Sequence, residues 1–149
     1  MRLYTIGFTK KSAEDFFNSL KKNNIKTVLD IRLNNSNQLA GFSKSRDLKY
    51  FLSKILNVNY IEDFKFAPTK QILDDYKKNI ITWEEYEVRY NQLLEERNII
   101  EYINKKYSNN FDGVCLLCSE LEANKCHRRL AAEFIKKNIN DQEIQIIHL

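Results

Sequence analysis

The stretch RLYTIGFTKKSAEDFFNSLKKNNIKTVLDIR, residues 2–32, decides the fold. RLYTI (2–6) reads as a strand that ends at Gly7. SAEDFFNSLKKNN (12–24) carries Phe16, Phe17 and Leu20 at helical spacing, and Ser12 is a natural helix cap. TVLDIR (27–32) is a short apolar run of the kind buried on both faces of a parallel sheet. Strand, helix and strand within about thirty residues form a βαβ unit, whose crossover is almost always right-handed.

The end of the chain repeats this theme. GVCLLC (113–118) reads as a buried strand, Asn124 to Lys137 as a helix with Asn124 as its cap, and EIQIIHL (143–149) as a closing strand. Between the two halves, LNNSNQLAGFSKSR (33–46) lacks either periodicity and is long for a plain connection, a feature of functional loops. A helix is expected from Asp47 to Leu56, a short extended piece at Val58 to Ile61, and a helix start at Pro68 and Thr69. Two or three helices follow across residues 70–78 and 82–106. Trp83, Tyr86, Tyr90 and Leu94 recur every three or four residues, a stripe that reads as core or subunit interface rather than as a ligand box. The expected fold class is α/β: one three-layer Rossmann-like domain over residues 1–149, with a mostly parallel four- to five-stranded sheet and an inserted helical segment.

Composition narrows the function. With 43% hydrophobic residues, three Gly and one Pro, the 149 residues suit one compact core rather than a linker. The 24 basic residues exceed the 20 acidic ones only slightly, for a net charge of +4, and the lysines come in scattered pairs, a pattern of solvation more than of a nucleic-acid footprint. No run approaches a membrane span, and the N-terminus lacks the apolar length of a signal peptide, so a cytoplasmic protein with no membrane partner is expected. In that compartment three cysteines are expected as thiols.

In an open parallel sheet, ligands bind at the carboxyl ends of the strands. Those ends carry Thr5, Gly7, Asp30, Arg32, Cys118 and Glu120. Asp30 and Arg32 are either a bracing ion pair, or a base beside an anion-holding fork. Cys126, His127 and Arg128 fall at the start of the last helix, where free N–H groups favour an anion and lower a thiol pKa. Cys118 and His127 can equally be packing residues. GFSKSR (41–46) offers Gly41, Phe42 and Lys44 as a loop that closes over a ligand, or as a solvated loop. No metal ligand set is read: the spacing of Cys118 to Cys126 is not that of a zinc knuckle, and adjacent Cys126 and His127 are awkward joint ligands. No P-loop or dinucleotide fingerprint occurs, and no cofactor is expected.

TIGF (5–8), LDIR (29–32), GFSK (41–44), APT (67–69), and LLCSE (116–120) followed by CHR (126–128) and a final HL give the chain a further meaning. Together they resemble the domain of unknown function 488 family nearly end to end. The resemblance implies an α/β fold and a shared site at Thr5, Gly7, Asp30, Arg32, Gly41, Phe42, Lys44, Cys118, Glu120, Cys126, His127 and Arg128. It implies no reaction. The chain departs from the family pattern by lacking a proline after Arg32 and by carrying Ala123 where a proline commonly precedes CHR.

The leading expectation is an enzyme, a hydrolase or group transferase, acting on a small phosphorylated or nucleotide-like ligand. Cys118, Cys126, Glu120 and Asp30 are its candidate catalytic groups. Arg32, His127 and Arg128, with Thr5, Gly7, Gly41, Phe42 and Lys44, are its candidate ligand contacts. The alternatives are a non-catalytic nucleotide or nucleic-acid binding module, and a thiol-based regulatory or interaction protein that forms a homo-oligomer.

Overall fold

The computed structural model describes residues 1–36, 41–139 and 143–149. Residues 37–40, inside the long loop expected at 33–46, lie outside the described residues. The elements run β1 (Arg2–Gly7), α1 (Ala13–Lys22), β2 (Thr27–Asp30), α2 (Ser45–Phe51), β3 (Asn59–Glu62), α3 (Lys70–Lys77), α4 (Trp83–Glu96), α5 (Ile99–Tyr107), β4 (Val114–Cys118), α6 (His127–Asn138) and β5 (Gln145–His148). Among the described residues the strands form one five-stranded sheet in the order β3-β2-β4-β1-β5, every pair parallel. The fold is α/β and consistent with a Rossmann-like three-layer arrangement.

Local sequence sets the helix starts. Ser12 Oγ accepts from Asp15 N at 3.0 Å, with Glu14 and Asp15 at the positive end of α1 and Lys21 and Lys22 at the other. Thr69 caps α3, and Thr82 with Glu85 closes a reciprocal capping box on α4. At Asn98, φ is +51°, and this left-handed residue separates α4 from α5.

Alternation along the strands feeds two cores. Tyr4, Ile6, Val28, Cys115 and Leu117 pack with Phe16, Phe17 and Leu20 of α1 and Leu48 of α2. Leu3, Leu29 and Leu116 pack on the other face with Tyr86, Tyr90 and Leu94 of α4, Ile103 of α5, and Leu130 and Ile135 of α6. Covered on both faces, VCLLC can be apolar throughout. The inserted segment α3 to α5 is tied back to the sheet: Arg97 Nη1 donates to Ala67 O at 2.5 Å, and the buried Asp63 carboxylate accepts from Tyr102, Tyr107 and Lys106.

Two boundaries differ from the sequence reading. The expected Asp47–Leu56 helix starts at Ser45 and ends in a wider turn at Leu52–Leu56. The last helix does not start at Asn124: Cys126 stands at its N-cap with φ −141° and ψ 139°, and no side chain caps it. The helix itself holds residues 120–124 outside. Arg128 donates to the carbonyls of Glu120 and Leu121, and Arg129 Nε donates to Asn124 O at 3.0 Å.

Candidate active site

The strand order creates a crevice. Helices α1 and α2, which follow β1 and β2, pack on one face of the sheet, whereas α6, which follows β4, packs on the other. Because β4 lies between β2 and β1, the chain leaves its carboxyl end in the direction opposite to its neighbours, the arrangement that opens ligand sites in parallel sheets. A cavity of about 550 Å³ lies there, bordered by Arg32, Leu33 and Asn34 after β2, by Cys118, Ser119 and Glu120 after β4, by Lys125, Cys126 and His127 at the start of α6, and by Tyr76, Lys77, Trp83 and Tyr86 from the insertion.

Cys118, Cys126 and His127 are buried, and their sulfur and nitrogen atoms all lie within 4.8 Å of one another. His127 Nε2 is 2.9 Å from Ile31 O, so this nitrogen donates to the carbonyl. Cys118 Sγ lies 3.5 Å from Nδ1 and 3.8 Å from Nε2. A hydrogen bond from Cys126, the charge of Arg128 and backbone hydrogen bonds from Ser119 and Glu120 lower the Cys118 pKa against burial. The hydrogen bond to Cys118 and burial raise that of Cys126. Of the pair, Cys118 therefore loses its proton more readily, and Cys126 holds its proton more tightly.

The trio is close enough to share a soft metal ion. Two features favour thiol chemistry instead. The near-equal distances from Cys118 Sγ to the two ring nitrogens place the sulfur beside the imidazole, off the lone-pair axis of Nδ1. The Arg128 guanidinium stands 3.7 Å from Cys126 Sγ, a position that opposes a second cation.

The loop after β4 is fixed by four hydrogen bonds. Arg128 grips two of its carbonyls, and Thr9 donates through N and Oγ1 to Ser119 O at 3.1 and 2.6 Å. Gly7 makes room for it, since a Cβ at Gly7 would stand 1.6 Å from Glu120 O.

Asp30 and Arg32 form a buried two-pronged pair, with Tyr60 OH donating to Asp30 Oδ2 at 2.5 Å. Burial alone would lower the Arg32 pKa, but the hydrogen bonds and charge of Asp30 outweigh it and raise it. Arg32 borders the cavity, and its buried Nη1 has no partner among the described residues. An N–H group left in this way costs about 1–3 kcal/mol unless a ligand or water takes it.

Of the residues expected at the site, Arg32, Cys118, Glu120, Cys126 and His127 border the cavity. Asp30 stands behind Arg32, Arg128 and Gly7 shape the loop, and Thr5 Oγ1 contacts His148 Nδ1 at 2.7 Å. Gly41, Phe42 and Lys44 do not border it: Phe42 packs on Phe16 and Phe17, and Lys44 is exposed.

The aromatic wall was missed in the sequence. Trp83 stacks on Tyr86 at 5.0 Å, Tyr76 meets both rings at 5.5 and 5.3 Å, and Tyr90 continues the series to His127 at 5.7 Å. The stripe is core at Tyr86, Tyr90 and Leu94, whereas Trp83 is half-buried on the cavity wall. Its place at the first turn of α4, beside Glu84 and Glu85, is the one signal that set it apart.

Among the described residues no helix is long and apolar enough to cross a membrane. Comparison with curated proteins and with solved structures gave no match. A family model described as "Domain of unknown function DUF488" matches residues 12–135. Covering most of the chain, including both halves of the LLCSE and CHR pairing, that match places the protein in the DUF488 family.

Proposed function

We propose that the cavity is the active site of a hydrolase or group transferase that acts on a small phosphorylated, nucleotide-like compound, with Cys118 as nucleophile. The observation that carries this reading is that a thiol with a lowered pKa and a buried guanidinium N–H without a partner among the described residues border one cavity with an aromatic wall. Arg32 Nη1 suits an anionic oxygen, and Trp83 and Tyr76 suit a flat ring. The Cys118 thiolate attacks the electrophilic centre, the bond to the leaving group breaks, and Glu120 supplies the leaving group's proton. Water or a second acceptor then releases the product from sulfur. Asp30, held by Arg32 and Tyr60, is a brace rather than a base in this reading.

The test is turnover and equilibrium binding over a panel of nucleoside monophosphates and inorganic phosphate, with wild type and Cys118→Ser. Loss of turnover with binding kept is expected. Unchanged turnover in Cys118→Ser removes the nucleophile. Lys77 and Lys125 at the cavity edge also favour a second reading, a binding module for nucleotides or nucleic acid without chemistry. That module would show steeply salt-dependent binding and no turnover in either protein.

A further inference from the structure

We propose that Cys118 and Cys126 form an oxidation site, in which a hydroperoxide that enters the cavity oxidises Cys118 and Cys126 closes the product to a disulfide, switching the site off. The inference rests on the reading of Cys118 as a thiolate that faces the cavity, and adds a second reaction at the same sulfur. Both sulfurs belong to the trio gathered within 4.8 Å, and both residues border the cavity. The third cysteine is excluded by strand alternation. Cys115 lies three residues before Cys118, faces the opposite core with Tyr4, Ile6 and Leu117, and does not border the cavity.

The chemistry follows from these positions. The Cys118 thiolate attacks the outer oxygen of the hydroperoxide, the O–O bond breaks, and the departing alkoxide takes a proton from solvent to leave as an alcohol. Cys118 is then a sulfenic acid. The Cys126 sulfur attacks the Cys118 sulfur, the S–O bond breaks, and hydroxide leaves with the Cys126 proton as water. The sulfur pair has lost two electrons, and the hydroperoxide has been reduced to alcohol and water. The disulfide removes the nucleophile, and a thiol reductant restores it.

The intact protein is treated with hydrogen peroxide, its free thiols are blocked, and tryptic peptides are analysed by mass spectrometry without reduction. Cleavage after Lys125 separates the two cysteines, so a disulfide appears as a linked pair of peptides, 107–125 and 126–128, that dithiothreitol parts. Fragment ions assigning the link to Cys118, with Cys115 still alkylated, are expected. In Cys126→Ser the same treatment should leave Cys118 as a sulfenic acid that a dimedone probe traps. Cys126 remaining alkylatable while Cys118 is oxidised, or a link through Cys115, would overturn the inference. The two readings fail separately. A disulfide in a cavity that no nucleotide or phosphate protects leaves this inference standing without the proposed function, whereas protection without a disulfide does the reverse.

Discussion

Arg32 grips Asp30 with Nε on Oδ1 at 2.8 Å and Nη2 on Oδ2 at 2.6 Å, and both side chains are about 1% exposed. Among the described residues, the pair leaves Nη1 as the part of the guanidinium without a protein partner. Asp30→Asn would strand a buried charge and should destabilise the fold by about 3–5 kcal/mol in urea denaturation. A loss under about 1 kcal/mol would mean that the pair is solvated and cannot act as a rigid anchor.

Gly7→Ala puts a methyl group where Glu120 O now lies. The loop must shift, at a cost near the top of the ~1–3 kcal/mol range for overpacking. Because that loop supplies hydrogen bonds to Cys118, the variant should also alkylate at Cys118 with a pH midpoint moved toward that of a free thiol. A midpoint like that of wild type would separate the loop from the thiol's ionisation.

The wall formed by Trp83 and Tyr76 is expected to act on ligand more than on folding. Trp83→Leu keeps apolar volume but removes the stacking face, and a base-stacking loss of about 1–3 kcal/mol corresponds to a roughly 5- to 150-fold weaker Kd for a nucleoside monophosphate. Calorimetric titration checks this. Unchanged affinity would assign the ring to the core alone.

His148, in contact with Thr5 at the edge of the sheet, has its pKa lowered by burial and by the charge of Arg128, with Glu133 opposing and Arg129 adding to the shift. The sign follows from linkage: a folded pKa below the unfolded one gives stability that is present above the ordinary value of about 6.5 and is lost as pH falls through the folded value. The protection factors of the β5 amides, taken relative to the intrinsic exchange rate at each pH, should therefore fall on acidification in wild type, and lose that pH dependence in His148→Gln.

Much of the fold was legible locally. The β1–α1–β2 unit declared itself through Ser12, the spacing of Phe16, Phe17 and Leu20, and the run TVLDIR, because caps and periodicity are short-range properties. The site was only half legible. Asp30 and Cys118 both end strands, but the register pairs Asp30 with Leu117, so Asp30 shares the face of Leu117 and Cys118 points the other way. Arg32 reaches the cavity because the chain has left the strand by then. Asn124 has the chemistry of a helix cap, and only the return of Arg128 and Arg129 to the carbonyls of residues 120, 121 and 124 moves the helix start to His127. Tyr76 and Trp83 come from an insertion whose placement depends on distant ties such as Arg97 to Ala67, which no local pattern reveals.

The proposed function requires Cys118 to ionise more readily than a free cysteine and to stand where a ligand binds. The pH dependence of alkylation, followed cysteine by cysteine with and without nucleoside monophosphates and phosphate, tests it most directly. A lowered pKa means that the thiolate persists as pH falls below the free-thiol value, so Cys118 should react at lower pH than a free cysteine, and a bound compound should protect it. Cys115 and Cys126, both raised by burial and the latter first by its hydrogen bond to Cys118, should react only at higher pH. A Cys118 that titrates with or above a free thiol, and that no compound protects, would contradict the account.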